Sequence, residues 1–248
     1  MLDDPKFEVC LQTVKGAMAA QAGGADRIEL CAALTIGGIT PSLGTIKRCV
    51  ESVDIPIMVM IRPRGGDFLY NDHEFASMEE DIINCKKLGV AGVVFGLLKI
   101  DGTIDQRRTQ LLVEIAHPLQ TTFHRAFDVC VNPYAALQQL IEIGVDRVLT
   151  SGQADTAPAG QELIRQLIKE AKHQIGILPG CGLKADNISD FLTYTSATEF
   201  HATAFESLIS PMQHKNEAVY MGLPGLAEYE RQMTSRAAVA AFVSAAKK

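Results

Sequence analysis

The chain has 248 residues, 47% of them hydrophobic, which is enough for one large core and matches the length at which barrels of alternating strands and helices form a single domain. Its formal net charge of -6 offers no broad basic face, so we do not expect nucleic acid as a partner. No apolar run is long enough to cross a membrane, so we expect no membrane partner. The six scattered cysteines match neither a compact disulfide framework nor a CxxC zinc pattern. We therefore expect a cytoplasmic protein with reduced thiols.

Short apolar segments rich in β-forming residues alternate along the chain with longer segments whose apolar residues recur at helical spacing. The eight predicted strands are 7–11, 27–30, 55–61, 92–96, 121–125, 147–151, 175–179 and 199–203. The predicted helices are 14–22, 41–52, 74–88, 105–117, 133–143 and 161–173, followed by a short seventh helix capped by Asp186 or Asn187. Pro41 and Pro133 are expected at first helical positions. This order predicts parallel strands joined by right-handed crossovers.

Three joints between a helix and the next strand resemble one another, at residues 23–30, 89–94 and 144–149. Each begins with a glycine where a helix can end in the left-handed conformation, and the chain then enters a strand directly. A doubly wound open sheet is the alternative, but such sheets more often have five or six strands. We therefore predict a single (β/α)8 TIM-type barrel over residues 1–204.

The repeat stops after the eighth predicted strand. Residues 205–221 mix Ser, Pro, His and Asn without a clean period, and the Ala-rich stretch 225–248 predicts a final helix. We expect residues 205–248 to form a C-terminal extension of the same domain. Its helix is expected to pack on the barrel or on a neighbouring subunit.

The first two predicted strands end in matching triplets, Glu8-Val9-Cys10 and Glu29-Leu30-Cys31. Side chains at the C-terminal ends of barrel strands reach the functional face, so each triplet aims a carboxylate and then a thiol to the same side. Neighbouring strands lie about 4.8 Å apart, which brings both thiols within reach of one ion. Thiolates suit copper(I). The alternative is that both cysteines are small core residues.

Other side chains at the predicted strand ends could supplement the two thiols as ligands. Soft or imidazole donors of this kind suit the same class of metal ion. They are Met58 and Met60 on the third strand, His124 on the fifth, Cys181 after the seventh and His201 on the eighth.

The third strand runs into a turn that contains Arg62, Arg64 and two glycines. Guanidiniums bind carboxylate or phosphate in a fork geometry, so this turn is a candidate anion site. The alternative is a structural clamp in which Arg62 pairs with Glu8 or Glu29. Carboxylates inside a barrel need a partner, and Arg62, Arg125 or a metal could provide it.

Two further candidates lie at later strand ends. His124 on the fifth strand is followed by Asp128, and a histidine oriented by a carboxylate is a candidate general base, although a satisfied core histidine fits the same pattern. Gly180 and Gly182 follow the seventh strand, in the region where barrels of this type commonly bind phosphate. Tight turns need glycine in any case, so a purely structural role stays open.

Several long segments, in this order, resemble the CutC family. They are Gly-Gly-Ala-Asp-Arg-Ile-Glu-Leu-Cys at 23–31, Val-Met-Ile-Arg-Pro-Arg-Gly-Gly-Asp-Phe at 59–68, Thr-Phe-His-Arg-Ala-Phe-Asp at 122–128, Arg-Val-Leu-Thr-Ser-Gly at 147–152 and Ala-Thr-Glu-Phe-His at 197–201. The resemblance covers about residues 7–205. It implies a TIM-type barrel, a cytoplasmic location, copper homeostasis with copper(I) binding, and a homodimer or larger assembly.

The resemblance also places the family's cysteine pair on Cys10 and Cys31. Cys181 departs from the Pro-Gly-Gly-Gly turn typical of related sequences, which makes it a doubtful ligand.

Two functions stay open. The first is a copper homeostasis protein that binds copper(I) through Cys10 and Cys31, helped by Met60 or His201.

The second function is a TIM-barrel enzyme that acts on a small anionic or phosphorylated metabolite. Its anion site would combine Arg62 and Arg64 with Gly180 and Gly182. The candidates for its acid, base or hard-metal ligands are Glu8, Glu29, His124 and Asp128. The sequence does not identify a reaction.

Overall fold

Eight parallel strands surround the centre of the molecule in the computed structural model. They are β1 (Lys6–Leu11), β2 (Arg27–Leu30), β3 (Ile57–Met60), β4 (Gly92–Phe95), β5 (Gln120–Phe123), β6 (Arg147–Thr150), β7 (Gly176–Pro179) and β8 (Glu199–Ala202). Each strand pairs with the next from β1 to β7, and β1 also pairs with β8. A parallel bridge between Gly180 and His201 joins β7 to β8. The predicted TIM-type barrel is therefore confirmed.

The structure describes residues 4–219, 221, 225 and 227–247. Residues 1–3, which begin the predicted barrel, lie outside the described residues. So do residues 226 and 248 of the predicted final helix. Within the described ranges, no helix has both the length and the apolar character needed to cross a membrane.

Helices connect the strands and cover the outside of the barrel. They are α1 (Val14–Gly23), α2 (Leu43–Val50), α3 (Asp72–Leu88), α4 (Gln106–Ala116), α5 (Pro133–Ile143), α6 (Gln161–Ala171), α7 (Ile188–Thr195) and, after the barrel, α8 (Arg236–Ala246). Pro133 is the first residue of α5, as predicted. The prediction for Pro41 was wrong, because the side chain of Ser42 accepts the N–H of Thr45 and α2 begins at Leu43, two residues after Pro41.

The C-terminal extension differs from the predicted single helix. Strand β9 (Phe205–Ile209) pairs in antiparallel fashion with β10 (Glu230–Thr234), and α8 begins only after Ser235. The Ser235 side chain accepts the N–H of Ala238, which fixes this start. The stretch predicted as helix from residue 225 therefore contains a strand before the helix.

Apolar packing between the strands and the helices forms the main core. Phe7 on β1 stacks on Phe200 of β8 at 4.6 Å between ring centroids, and Phe242 of α8 lies 4.9 Å from Phe7. Helix α8 also packs closely against α1, since a Cβ atom at Gly23 would lie 2.5 Å from Cβ of Val239. The outward faces of the strands are thus apolar. Many of the inward faces carry polar groups. Several of these lie near the mouth, which is the open end of the barrel at the C-terminal ends of the strands.

Candidate functional site

The first two strands place two thiols and a carboxyl group at the mouth. Cys10 lies opposite Glu29 in the register of β1 and β2, and Cys31 directly follows β2. The sulfurs of Cys10 and Cys31 are 3.9 Å apart. Glu29 Oε2 lies 3.2 Å from the first sulfur and 3.4 Å from the second. All three side chains are buried, so they form a compact group of potential metal ligands.

The protonation states of these three groups depend on one another. The hydrogen bond with Cys31 outweighs burial and, with the help of His201, lowers the pKa of Cys10 to about 5. The same hydrogen bond, together with burial, raises the pKa of Cys31 well above its ordinary value. Burial and the neighbouring Cys10 raise the pKa of Glu29 well above its usual range. Cys10 is therefore the member of the group that loses its proton most readily.

His201 approaches the same group from β8. Its Nδ1 atom is 2.8 Å from Glu8 Oε1, and its Nε2 atom is 3.7 Å from Glu29 Oε2. Burial alone would lower the pKa of His201, but Glu29, Cys10 and Glu8 raise it well above its ordinary value. The imidazole ring therefore places a positive charge beside the carboxyl group and the thiols. Glu8, Glu29 and His201 also form a second set of potential metal ligands.

A buried ionic network lies beneath these residues. Arg27 pairs with Glu8 through Nε and with Glu199 through Nη2, the latter at 2.9 Å. Arg147 Nε lies 3.0 Å from Glu199 on the other side. Burial would raise the pKa of Glu8, but Arg27 and His201 hold it at about 2. Glu8 is therefore ionised, and each of its two oxygens has a partner, Arg27 on Oε2 and His201 on Oε1.

The expected partners of the interior carboxylates need correction. Arg62 does not pair with Glu8 or Glu29, because its guanidinium group donates to backbone carbonyls at the mouth. Arg125 pairs with Asp128. Arg27 is the partner of Glu8 because it lies opposite Glu8 in the register of β1 and β2.

Sulfur atoms of two methionines add to the soft character of this end of the barrel. Met58 and Met60 pack in one buried cluster with Cys10 and Cys31. Met60 also lines a cavity that opens above the thiols, and Met58 lies deeper, beside Gly92. Met60 is therefore the methionine that could join a metal site reached from the mouth.

That cavity has a volume of about 350 Å³, within the size range of small-molecule sites. It combines polar groups of the barrel interior with apolar side chains from the loops above it. Its lining residues are Cys10, Glu29, Leu34, Gly37, Met60, Arg62, Phe68, His124, Arg125, Asp128, Val129, Leu149 and His201.

Arg62 fixes the loops that surround the cavity. Its Nη1 atom donates to the carbonyls of Ile36 and Gly38, and its Nη2 atom donates to the carbonyl of Gly66 at 2.8 Å. The guanidinium group lies over the ring of Phe68, 5.1 Å from its centroid. Its Nε atom is buried and has no hydrogen-bond partner among the described residues. Arg62 is thus a clamp, but with carbonyl oxygens in place of the expected glutamates.

His124 and Asp128 both line the cavity but do not pair as expected. His124 Nδ1 accepts the N–H of Ala126 at 3.1 Å, while its Nε2 atom is buried and has no partner among the described residues. Asp128 faces β6, where it accepts hydrogen bonds from Thr150 and Ser151. The expectation that Asp128 orients His124 was wrong, because the turn after β5 points the carboxylate away from the ring.

Three residues predicted to bind an anion lie elsewhere. Arg64 pairs with Glu74 and Asp67 and does not line the cavity. Gly180 and Gly182 do not line it either, and the space beside Gly182 is filled by Thr156. Their anion-binding role stays a prediction, as does the general base role of His124.

Cys181 is separate from the other two strand-end thiols. Its sulfur lies 3.1 Å from the carbonyl oxygen of Asp155, and the residue is only partly buried. Its backbone φ of 76° is in the left-handed region, which favours glycine. The structure does not place it with Cys10 and Cys31.

Sequence reasoning missed two contributors to the site. Arg27 stands two residues before Glu29, so strand alternation already placed both on one face. Phe68 had no comparable signal, because its position depends on the fold of the loop between β3 and α3. The ring of Phe68 contacts both Arg62 and His124.

Comparison with known proteins identifies the family of this chain. The model of the CutC family matches residues 5–206. This chain belongs to the CutC family. The CutC family protein of Mesorhizobium japonicum is 47% identical over 244 residues, which cover 98% of this chain and 95% of that protein. The human copper homeostasis protein cutC homolog is 46% identical over 229 residues, which cover 92% of this chain and 84% of that protein.

A solved structure supports the same family. The crystal structure of a CutC protein from Streptococcus agalactiae has a TM-score of 0.77 and 32% sequence identity, and the match covers 80% of this chain and 98% of that one. Thiamine phosphate pyrophosphorylase from Pyrococcus furiosus has a TM-score of 0.60 at 16% identity, which shows a shared barrel fold and nothing more.

Proposed function

We propose that this CutC family chain is a cytoplasmic copper homeostasis protein that binds one copper(I) ion between Cys10 and Cys31. The observation that carries the proposal is the pair of buried sulfurs 3.9 Å apart at the mouth. Metal–sulfur bonds are about 2.3 Å long, so one ion can bridge this separation. The names of the human and mouse relatives, copper homeostasis protein cutC homolog, agree with the proposal.

The chemistry of the surrounding donors fits a soft monovalent cation. Two thiols and the thioether of Met60 are the ligand types that favour copper(I) over hard ions such as magnesium or calcium. The buried Oε1 atom of Glu29 has no hydrogen-bond partner among the described residues, and Met60 and His201 line the same cavity. We propose Met60 and His201 as supplementary ligands.

The neighbouring residues prepare the thiols for binding. Cys10 already loses its proton readily, so Cys31 is the thiol that must still release a proton when the ion binds. His201 is protonated in the metal-free protein, so it must release the proton on Nε2 when it acts as a ligand, while its Nδ1–H stays on Glu8. Glu8 holds the His201 ring in position through the 2.8 Å contact at Nδ1.

Anaerobic titration of the reduced protein with copper(I), in competition with a strong copper(I) chelator, tests this proposal. We expect one equivalent per wild-type chain and at least about a hundredfold weaker binding after Cys10→Ser with Cys31→Ser. Cys181→Ser is the matched control, since it removes the most exposed thiol and leaves the pair intact. Copper(I) binding that follows Cys181, or that does not survive the chelator, would show that the ion binds adventitiously.

We also propose a cytoplasmic location and a homodimer. The reduced state that the two thiols need is maintained in the cytosol, which supports the location. Fractionation of cells that express the chain tests the location, and light scattering of the purified protein tests the dimer. A monomer at micromolar concentration would contradict the second proposal without affecting the first.

A further inference from the structure

Two exposed apolar surfaces lie at the mouth end of the barrel. The first, the rim, is formed by the loops after β2, β3, β4 and β5. Folded proteins rarely expose a contiguous group of large apolar side chains unless that group is a binding surface. The exposed apolar residues of the rim are Ile36, Leu69, Ile100, Val129 and Val131.

The loops of the rim contact one another. The guanidinium clamp described above joins the loops after β2 and β3. The N–H of Leu98 donates to the carbonyl of Phe68 at 2.9 Å, which joins the loops after β3 and β4. The N–H of Val131 donates to the carbonyl of Gly102 at 3.0 Å, which joins the loops after β4 and β5. The rim is therefore one continuous surface, and Val129 extends it to the wall of the cavity above the thiols.

The second surface belongs to the C-terminal extension. Strands β9 and β10, with the described residues between them, form an arm that follows β8 after only Thr203 and Ala204 and so leaves the barrel at the mouth end. No third strand pairs with this hairpin within the described ranges, and an isolated two-stranded sheet is marginally stable in water. The exposed apolar residues of the arm are Leu208, Ile209, Met212, Val219 and Met221.

The arm does not cover the rim of its own chain. Its base packs against the start of α1, where a Cβ atom at Gly16 would lie 3.3 Å from Oγ1 of Thr234. The strand order places β8, from which the arm starts, opposite β4, and the rim is centred on β3 and β4. Ile209 of the arm is 70% exposed and Ile100 of the rim is 90% exposed. Both surfaces are therefore uncovered in the described part of the chain.

A second copy of the chain offers each surface its complement. In a two-fold dimer the arm of one copy can meet the rim of the other, and the symmetry repeats the contact, so one closed assembly covers all four surfaces. The charged residues of the arm have both signs, which does not favour a nucleic acid or an anionic membrane as the partner. They include Glu206, Lys215, Glu217, Glu230 and Arg231.

We propose that the arm of each copy packs on the rim of a second copy in a two-fold dimer. This inference rests on the homodimer proposed above and assigns its interface. The rim borders the cavity above Cys10 and Cys31, so the arm of the second copy also covers the entrance to the candidate copper site. Exchange of copper(I) then requires the arm to move or the dimer to open.

Two substitutions that introduce opposite charges test the contact. Ile209→Glu changes the arm and Ile100→Lys changes the rim, and both side chains are exposed, so both variants should fold. Light scattering at micromolar concentration should show a dimer for the wild type and a monomer for each variant alone. Ile83→Glu is the control and should remain dimeric, because Ile83 is an exposed residue of α3 outside both surfaces.

An equimolar mixture of the two variants distinguishes the arm–rim contact from other dimers. In the mixed dimer, one contact joins an unchanged arm to an unchanged rim, and the other contact brings the two opposite charges together. We therefore expect the mixture to dimerise at least about tenfold more tightly than either variant alone. An interface between two arms would leave Ile100→Lys dimeric, and an interface between two rims would leave Ile209→Glu dimeric.

The outcomes separate this proposal from the ones on which it rests. A monomeric wild type would overturn both the arm–rim contact and the homodimer, and binding of that monomer to phosphatidylcholine vesicles would assign the two surfaces to a membrane instead. A dimer that survives in either variant, or a mixture that dimerises no better than its components, would overturn the arm–rim contact alone.

The rate of copper(I) transfer to the chelator tests the covering of the site. Neither Ile209 nor Ile100 is a proposed ligand, so the copper(I) affinity of both variants should equal that of the wild type. Transfer from the monomeric variants should be at least about tenfold faster, because no arm covers their cavity. Equal transfer rates would contradict the covering of the site by the arm.

Discussion

Arg27 on β2 pairs with Glu8 on β1, directly beneath the two thiols of the mouth. The arginine keeps the pKa of Glu8 at about 2 against the effect of burial. The ionised Glu8 in turn holds Nδ1 of His201, which directs Nε2 of that ring toward Glu29. The charge of Arg27 thus fixes the orientation of the His201 ring at the candidate metal site, through Glu8.

We expect Arg27→Met to destabilise the protein by about 3–5 kcal/mol, because it leaves Glu8 and Glu199 buried without their shared cation. Urea denaturation of wild type and variant measures the change in the free energy of unfolding. Arg48→Ala is the control, since it removes the surface pair with Glu51 and should change stability by only about 0.5 kcal/mol. Equal effects of the two substitutions would contradict the structural role of Arg27.

His124 should make the stability of the protein sensitive to acid. Its folded-state pKa is about 3 against an ordinary value of 6.5, so between these values the unfolded chain binds a proton that the folded chain does not. The contribution of His124 to the free energy of unfolding is fully present above about pH 6.5. It is lost as the pH falls toward 3, by up to about 1.4 kcal/mol per pH unit.

Denaturation of wild type and His124→Asn at several pH values between about 7 and 5 measures this effect. The difference in stability between the two proteins isolates His124, since the other titrating groups are common to both. We expect the difference to change with pH in favour of the variant as acid is added. A constant difference across the range would show that the ring is not held in its neutral form.

The sequence was sufficient to predict the barrel, because eight predicted strands alternate with predicted helices and three of the joints between a helix and a strand begin with a glycine. It also predicted that Cys10 and Cys31 share a face, since strand alternation is a local property. The pairing of Glu8 with Arg27 could have been predicted from the same alternation. The partners of Arg62 could not, because Ile36, Gly38 and Gly66 offer only backbone carbonyls, and their positions depend on how two loops fold.

The C-terminal extension shows a different limit of sequence reasoning. Strand β10 (Glu230–Thr234) has the sequence Glu-Arg-Gln-Met-Thr, which is mostly polar and exposed, so no apolar pattern distinguishes it from the first turn of a helix. Its pairing with β9 (Phe205–Ile209) spans more than twenty residues. Such contacts are decided by tertiary structure, and local propensity is overridden.

Met60 and Met58 offer a matched pair of substitutions at the candidate copper site. Replacing methionine by leucine conserves volume and removes the thioether, and usually costs less than about 1.5 kcal/mol of stability. We expect Met60→Leu to weaken copper(I) binding by about tenfold, as loss of a supplementary ligand would. Met58→Leu should leave the affinity unchanged, because Met58 does not line the cavity. Equal affinities in the chelator competition would exclude Met60 as a ligand.

Gly96 should be a position at which a single added methyl group displaces the His124 ring. A Cβ atom there would lie 2.5 Å from His124 Nδ1 and 2.9 Å from Cβ of Ala126, so Gly96→Ala must displace the ring. Overpacking of this kind costs about 1–3 kcal/mol of stability. Gly44→Ala in α2 is the control, since its Cβ has only a 3.9 Å neighbour and alanine favours a helix by about 1 kcal/mol. Urea denaturation of both variants measures the two effects, and a Gly96→Ala variant as stable as the wild type would contradict the close packing of Gly96 on the His124 ring.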